Sequence, residues 1–373
     1  MHAASARRDV AKGNPVHEPN TKTYLRPIGR LPKDAARTAR VETLRIGPNP
    51  TCAFAAAEVI QRAGARVSRH TLAAGELLRA PDPDVSNRLV RIAAPRRDVA
   101  GLTLDVPRIM GIVNVTPDSF SDGGLYFDAD AAIRHALELE TQGADILDIG
   151  GESTRPGAAP LDLDEESRRV LPVIAALARR SKARISIDTR NATVMERAAD
   201  AGAHIINDVS ALKHDPQSLA VAARTGLPVI LMHMQGTPQT MQNAPRYDDV
   251  LLDVADELEA RVAVCEAAGI PREKIIVDPG IGFGKKLAHN LALLHGLALL
   301  HGTGCPVLLG ASRKSFIVRL MKEVGAPEPA DRVPGSLAAA LIGVQQGAQI
   351  LRVHDVAATR QALAVQETDL ACE

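Results

Sequence analysis

Short apolar runs alternate with longer amphipathic segments from about residue 105 to the end of the chain. The apolar runs predict buried β-strands, because each is brief and stops at polar or turn-forming residues. The amphipathic segments predict helices, because their apolar positions recur with the spacing of one helical face. The predicted strands cover residues 109–115, 146–150, 184–188, 205–208, 229–233, 275–278, 307–310 and 350–353. The predicted helices cover residues 131–142, 165–180, 193–201, 218–225, 250–268, 290–300 and 337–346.

This repeated strand–helix order predicts a (β/α)8 TIM barrel, because eight units in about 260 residues match the size of that fold. A doubly wound parallel sheet is the alternative, and it would gather its ligand-binding groups at one switch point. Polar residues instead stand at or just after every predicted strand, at Asn114, Glu152, Asp188, Asn207, His233, Asp278, Lys314 and His354. Barrel enzymes build their sites on that face, so the distribution favours the barrel.

The first hundred residues do not follow this alternation and are rich in Ala, Arg and Pro. Within them, only residues 54–67 have a helical pattern of apolar positions. We therefore divide the chain into an N-terminal extension, residues 1–104, for which the sequence predicts no overall fold, and a barrel domain, residues 105–373.

Charge is unevenly distributed, although the whole chain is neutral with 44 basic and 44 acidic side chains. Residues 1–100 carry 18 basic and 9 acidic side chains, so the rest of the chain has an acidic excess. We predict that this basic arm docks on its own acidic barrel or on a partner subunit. Nucleic-acid binding is the alternative, but the arm lacks the interleaved aromatic side chains of a base-stacking surface.

The four cysteines, Cys52, Cys265, Cys305 and Cys372, form no CxxC pair and have no histidine at zinc-ligand spacing. They predict reduced thiols and a cytoplasmic protein. The chain has no apolar run of about 18 residues, so no membrane span is predicted. The sequence also lacks a nucleophile elbow and an HExxH motif, which argues against hydrolytic and zinc chemistry.

Three predicted strands end in Asp188, in Asn207 and in Asp278. A single strand-end aspartate is most simply explained as a helix N-cap. Two carboxylates and one amide around a barrel mouth instead favour a planar ligand rich in N–H donors, such as a 2-amino-4-oxo-pyrimidine edge.

The loop at residues 278–285 has the sequence DPGIGFGK. Its glycines permit close backbone approach, but their spacing is not that of a P-loop. Phe283 lies between two glycines, which suits an aromatic wall for a flat ring better than a core position. A loop anchor that packs on a neighbouring helix is the alternative.

Basic residues follow the last two predicted strands, where barrels commonly bind phosphate. Residues 312–315 read SRKS, and Arg352 and His354 lie two apart, so their side chains share a face. Arginine binds phosphate as a fork and histidine adds a donor, which predicts an anion site. Asn114 neighbours this site in a closed barrel and suits Mg²⁺ on a diphosphate, unless it only holds its own loop. His233 is open between metal ligand, general base and structural hydrogen bonder, and the structural role is preferred.

Motifs spread over residues 105–365 resemble, in order, those of the dihydropteroate synthase family. They lie at residues 114–124, 150–157, 187–189, 206–208, 231–236, 278–290, 312–315 and 352–355. The resemblance implies an enzyme that condenses 6-hydroxymethyl-7,8-dihydropterin diphosphate with p-aminobenzoate in folate biosynthesis. It also implies Mg²⁺ as the cofactor, binding of sulfonamides and a homodimer.

The resemblance further assigns residues to roles. It implies a pterin site of Asp188, Asn207, Val209, Met232, Asp278, Phe283, Gly310 and Lys314. It implies a p-aminobenzoate site of Phe120, Thr154, Arg155, Pro156, Phe283 and Ser315. It implies a diphosphate site of Asn114, Thr154, Arg352 and His354, with Mg²⁺ on Asn114. The implied catalytic set is Asn114, Asp122, Lys314, Arg352 and His354, and the loops at 119–127 and 153–159 would close over the complex.

The implied reaction is a substitution at the exocyclic methylene of the pterin, in which diphosphate leaves and the arylamine nitrogen attacks. Asp122 would stabilise a cation-like methylene. Two alternatives are a pterin-dependent methyltransferase, which has no use for the 312–315 run, and an inactive pterin-binding paralogue. Loss of Asn114, Lys314 or Arg352 would favour the paralogue, and all three residues are present.

Overall fold

An antiparallel sheet begins the described part of the chain, which comprises residues 21–31, 42–47, 52–115, 129–152, 161–237, 239–321 and 332–367 of a computed structural model. Its strands are β1 (Lys22–Leu31), β2 (Leu44–Arg45), β3 (Ala53–Ala63) and β4 (Arg66–Ala73). The central strand, β3, pairs with β1 along one edge and with β2 and β4 along the other. Two helices, α1 (Ala74–Leu78) and α2 (Pro83–Ala93), cover one face of the sheet. These six elements form the N-terminal unit.

The helix predicted at residues 54–67 is wrong, because this segment forms β3 and the start of β4. Both faces of β3 are buried: Val59 packs with α1 and α2, and Ile60 packs into the barrel core. A strand that is buried on both faces lacks the two-residue alternation by which strands are recognised. Its many alanines then favour a helical interpretation. Gly64, with a φ of 59°, makes the tight turn from β3 to β4.

Eight parallel strands confirm the predicted barrel. They are β5 (Arg108–Asn114), β6 (Ile146–Gly150), β7 (Arg184–Asp188), β8 (Ile205–Asp208), β9 (Val229–Met232), β10 (Ile275–Asp278), β11 (Leu308–Leu309) and β12 (Ile350–Val353). Strands β5 to β10 pair in sequence, and β12 pairs with both β5 and β11. A parallel bridge from Val277 to Val307 joins the seam between β10 and β11. The strand predicted at 307–310 is therefore shorter than expected, while the others agree to within one residue at each end.

Helices surround the strands. They are α3 (Ala129–Thr141), α4 (Leu163–Arg180), α5 (Ala192–Asp200), α6 (Ser218–Thr225), α7 (Val250–Ala267), α8 (Leu287–Gly296), α9 (Ser315–Leu320), α10 (Val333–Gln345) and α11 (Val356–Glu367). Short 3-10 helices lie at Arg272–Lys274 and Leu297–Thr303. Every predicted helix of the barrel is present, whereas α9 and α11 were not predicted. Within the described ranges, no helix is long and apolar enough to span a membrane.

Side chains of the barrel strands alternate between the outer helices and the barrel interior, as the pleat requires. Outward residues such as Ile149 and Ile187 pack against the helices in the main core. The inward residues at the lower end form a separate apolar layer, made of Met110, Ile146, Ile205, Ile230, Ile276, Leu308 and Ile350. Val99 and Leu104 close this layer from below. The inward residues above the layer are mostly polar, so the polar groups gather at the C-terminal mouth.

The N-terminal unit docks on α7 through opposite charges. The Lys22 ammonium lies 2.6 Å from Asp256 Oδ1 and 2.8 Å from Glu259 Oε2. Arg88 donates to both carboxylate oxygens of Glu259, at 2.8 and 3.0 Å. The Tyr24 hydroxyl donates to Asp256 Oδ1 at 2.7 Å. The described part of the basic arm therefore docks on the acidic helix α7 of its own barrel, as predicted, and Lys22 and Arg88 are paired with protein carboxylates.

Candidate active site

The mouth of the barrel is organised around the guanidinium of Arg352. Its Nε donates to Asp148 Oδ2 at 2.6 Å, and its Nη2 donates to Asp188 Oδ2 at 2.7 Å. The same Asp148 oxygen accepts from Asn207 Nδ2 at 3.0 Å. One network thus ties together the inward side chains of β6, β7, β8 and β12. A guanidinium has five N–H donors, so Arg352 keeps N–H groups that no described residue accepts.

Asp148 is a site residue that the sequence reasoning missed. It is fully buried, and its Oδ1 has no hydrogen-bond partner within the described structure. The other candidates stand at strand ends, whereas Asp148 lies in the middle of the apolar run 146–150. The sequence did contain a signal for Asp148. It lies two residues after Ile146 and so points into the barrel like Ile146, and a buried carboxylate needs a specific partner.

Two further carboxylates at the mouth are short of hydrogen-bond donors. Burial raises the pKa of Asp188 to about 7, and the Arg352 guanidinium limits the increase. Burial also raises the pKa of Asp278 to about 6, although its Oδ1 accepts from the Gly280 N–H at 2.7 Å. Neither carboxylate caps a helix, since α5 and α8 begin several residues later. Asp188 Oδ1 and Asp278 Oδ2 make no hydrogen bond to any described residue, so both oxygens can receive donors from a ligand.

The loop at residues 278–285 requires its glycines. A Cβ at Gly280, where φ is 67°, would lie 2.0 Å from the carbonyl oxygen of His233. A Cβ at Gly284, where φ is 61°, would lie 2.7 Å from the carbonyl oxygen of Gln235. The loop therefore approaches the segment after β9 more closely than any other residue type allows.

Lys314 and Phe283 face each other across the mouth. Phe283 is half-buried, and the Lys314 ammonium lies 4.0 Å from the centroid of its ring, a cation–π contact. Burial lowers the pKa of Lys314 to about 8. No described oxygen or nitrogen accepts a hydrogen bond from this ammonium, so it can donate to a ligand. Phe283 does not join the hydrophobic core, which agrees with an exposed aromatic wall.

His354 is a neutral ring that contacts Ser312. The Ser312 hydroxyl oxygen accepts from the His354 backbone N–H at 3.2 Å and lies 3.0 Å from His354 Nδ1. If the Ser312 hydroxyl donates to Nδ1, the other ring nitrogen carries the proton and can donate to a ligand. Burial lowers the pKa of His354 to about 3, so the ring is neutral at pH 7. Arg313, in the loop after β11, adopts a φ of 55°. Its guanidinium pairs with Asp355 and not with a residue of the barrel mouth.

The remaining described candidates lie around the same mouth. Asn114 ends β5 beside Gly150, and its amide makes no hydrogen bond to a described residue. Met232 is buried opposite Asp278 in the β9–β10 register. The other three are Val209, which is buried, Gly310, whose Cβ position lies 3.8 Å from Asp278 Oδ2, and Ser315, which begins α9 and is exposed. Five candidates lie outside the described residues, namely Phe120, Asp122, Thr154, Arg155 and Pro156, as do the loops at 119–127 and 153–159.

His233 makes hydrogen-bonding contacts of the kind that the structural interpretation, the preferred one of the three, predicts. It is 3% exposed, and its Nδ1 lies 3.0 Å from the Lys285 ammonium. Lys285 also donates to the carbonyl oxygens of His233 and Phe283, at 3.2 and 2.9 Å. The His233 Nε2 lies 3.0 Å from Glu257 of α7. In the described ranges, no group of three or more His, Cys, Asp or Glu side chains forms a metal-binding cluster.

Comparisons with known proteins agree with this geometry. The family described as pterin binding enzyme matches residues 110–354. The dihydropteroate synthase of Escherichia coli strain K12 is 51% identical over 275 residues, which are 73% of this chain and 96% of that protein. A structure of the Xanthomonas albilineans dihydropteroate synthase with 4-aminobenzoic acid is 50% identical, covers 75% of this chain and 99% of that one, and has a TM-score of 0.69. A structure of the Yersinia pestis dihydropteroate synthase with a sulfonamide drug complex is 50% identical, covers 71% of this chain and 95% of that one, and has a TM-score of 0.67.

Proposed function

The chain belongs to the dihydropteroate synthase family of pterin-binding enzymes, and on that premise we propose how its barrel mouth performs the family reaction. It is a transferase of folate biosynthesis that joins 6-hydroxymethyl-7,8-dihydropterin diphosphate to p-aminobenzoate and releases diphosphate. The observation that supports the assignment of residues most strongly is that two oxygens at the mouth, Asp188 Oδ1 and Asp278 Oδ2, accept no hydrogen bond from any described residue. The pyrimidine edge of a pterin supplies donors for such oxygens.

The pterin lies with its amino group and ring N–H groups against the mouth carboxylates. Asp278 accepts from the pyrimidine edge, and Asp188 and Asn207 bond the opposite side of the ring system. The Lys314 ammonium, which lies over the Phe283 ring and donates to no described residue, donates to an acceptor atom of the pterin. The flat faces of the ring contact the side chains and backbone of Val209, Met232, Phe283 and Gly310.

The diphosphate lies at the end of the mouth formed by β5 and β12. The remaining N–H groups of Arg352 and the ring N–H of His354 bind its oxygens and stabilise the negative charge that develops as it leaves. Thr154 adds a hydroxyl donor. The Asn114 amide oxygen would hold Mg²⁺, which would supply further neutralisation of the diphosphate charge.

The arylamine lies outside the pterin, between Phe283 and Ser315 on one side and residues Phe120, Thr154, Arg155 and Pro156 on the other. An aryl amine is neutral near pH 7, so the attacking nitrogen needs no strong base. Asp122 stabilises positive charge on the pterin methylene while the diphosphate departs. The alternative readings, a methyltransferase or an inactive paralogue, gain no supporting observation.

Turnover of the purified protein tests the function. Diphosphate release from the pterin diphosphate with Mg²⁺ is measured with and without p-aminobenzoate, and 7,8-dihydropteroate is identified as the product. Release that requires p-aminobenzoate is expected. Pterin binding without product would favour an inactive paralogue, and absence of pterin binding would contradict the pocket assignment.

Pterin affinity is expected to rise with pH between about 5.5 and 7.5, by roughly ten- to a hundredfold. The reason is that Asp278 and Asp188, with pKa values of about 6 and 7, must be ionised to accept N–H groups. Because both pKa values are raised from 3.8, the free fold loses stability as the pH rises from about 4 to about 7, and bound pterin offsets this loss. Calorimetry in buffers with different ionisation enthalpies measures the proton release directly. A flat pH profile with no proton release would contradict this assignment.

Sulfonamides are expected to compete with p-aminobenzoate and not with the pterin diphosphate. They are arylamines with a similar shape, and a sulfonamide drug complex is recorded for the Yersinia pestis relative. Inhibition by sulfamethoxazole is measured at several concentrations of each substrate. Inhibition that p-aminobenzoate cannot relieve would contradict the arylamine site.

Family membership also leads us to propose a cytoplasmic homodimer. The thiols of Cys265 and Cys305 are buried and form no disulfide, which suits a reducing compartment. Sedimentation velocity tests the dimer, because the sedimenting mass should be twice that of the chain.

A further inference from the structure

The N-terminal unit holds the first turn of α7 from outside the barrel. Arg62 Nη1 on β3 lies 2.6 Å from Asp253 Oδ1, and Arg69 Nη2 on β4 lies 2.5 Å from Asp249 Oδ2. The other oxygen of each carboxylate bonds the backbone of that turn: Asp249 Oδ1 accepts from Leu251 N–H, and Asp253 Oδ2 accepts from the backbone N–H of Asp248 and Asp249. The two arginines therefore orient the carboxylates that cap α7.

The residues just before α7 bond the substrate-facing loops. The Tyr247 hydroxyl donates to the carbonyl oxygen of Gly284 at 2.9 Å. Arg246 and Gln235 exchange two hydrogen bonds of 3.0 Å between backbone and side chain. Gly284 follows Phe283, so Tyr247 fixes the end of the loop that carries the aromatic wall of the pterin site.

A second contact runs from the body of α7 to the same loop. Glu257 lies 3.0 Å from His233 Nε2, and His233 Nδ1 lies 3.0 Å from Lys285, which donates to the Phe283 carbonyl oxygen at 2.9 Å. Helix α7 thus contacts the N-terminal unit on one side. On the other side it is connected to the 278–285 loop through Tyr247, which precedes the helix, and through His233, which contacts both Glu257 and Lys285.

We propose that the N-terminal unit is a positioning element of the active site, which acts through α7 and Tyr247 on the loop that carries Phe283. The family match begins at residue 110, so the unit lies outside it and adds a function to this chain. The inference rests on the proposed pterin site. Arg62 and Arg69 touch no substrate in this account and are positioning residues.

A mutant cycle tests the proposal. The variants are Arg62→Gln with Arg69→Gln, Tyr247→Phe, and all three together. The arginine pair and Tyr247→Phe are each expected to raise KM for the pterin diphosphate by about three- to thirtyfold. The KM of the combined variant is expected to be no higher than that of the more affected of the two, because the arginine pair and Tyr247 act on the same loop contact. The control is Arg79→Gln, which removes a charge from the same unit at an exposed pair with Glu42 and should leave KM unchanged.

Hydrogen exchange of residues 278–286 provides a readout besides activity, and it should increase in the arginine pair but not in Arg79→Gln. An unchanged KM with a lowered melting temperature would overturn the proposal, and so would effects that multiply in the combined variant. If the pair fails to fold, Arg69→Gln alone provides the same comparison, because Asp249 keeps its capping bonds. Dihydropteroate formation by the unmodified protein separates failure of this proposal from failure of the proposed function.

Discussion

Replacing Asp278 with asparagine is expected to weaken binding of the pterin diphosphate by about a hundredfold or more while the fold persists. The amide oxygen of an asparagine can still accept from the Gly280 N–H, so the turn after β10 is retained. The amide NH₂ group then faces the N–H groups of the pyrimidine edge, and two sets of donors oppose each other without an acceptor. Isothermal titration with the pterin diphosphate measures the loss.

Two controls separate recognition from folding in this experiment. The melting temperature of Asp278→Asn should stay close to that of the unmodified protein, because removal of a buried charge offsets what the substitution costs in stability. Asp164→Asn removes a carboxylate whose side chain is 87% exposed and should leave pterin affinity unchanged. Retained pterin affinity in Asp278→Asn would contradict the placement of the pyrimidine edge.

Replacing Arg352 with lysine is expected to lower kcat by about a hundred- to a thousandfold. Lysine keeps a positive charge but cannot bond Asp148, Asp188 and a diphosphate at the same time, because it lacks the planar fork. Loss of the charge itself, as in Arg352→Met, would leave two buried carboxylates unpaired and destabilise the fold by about 3–5 kcal/mol. The lysine variant is therefore the informative one.

Two ligands that differ only in the diphosphate group allow a matched comparison for Arg352→Lys. Affinity for 6-hydroxymethylpterin, which has no diphosphate, should change far less than affinity for the pterin diphosphate. Steady-state kinetics and titrations with both compounds measure the difference. Equal losses for the two compounds would indicate that Arg352 only orders Asp148 and Asp188.

The barrel could be predicted from the sequence because each of its units obeys a local rule. The segment 275–278, for example, is an apolar run that ends in a polar group, and its bounds agree with β10. The strand at Ala53–Ala63 could not be predicted, because the N-terminal helices and the barrel bury its two faces and remove the alternation. That burial depends on residues far away in the chain.

The candidate site was predictable where its residues stand at strand ends and was missed where they do not. Asp188, Asn207, Asp278 and Arg352 meet at the mouth because the C-terminal ends of parallel strands converge there. Asp148 lies one step inside the barrel, and its partnership with Arg352 spans 204 residues of sequence. The contacts of Lys285 with His233 likewise depend on two loops that approach only in the folded barrel.

A crystal structure with 6-hydroxymethylpterin diphosphate tests the central claim most directly. We expect that the pyrimidine edge bonds Asp278, that Lys314 donates to the ring, and that the diphosphate lies against Arg352 and His354. A pterin bound in the opposite direction, with its diphosphate near Asp278, would contradict it, and so would a pterin bound outside the barrel mouth.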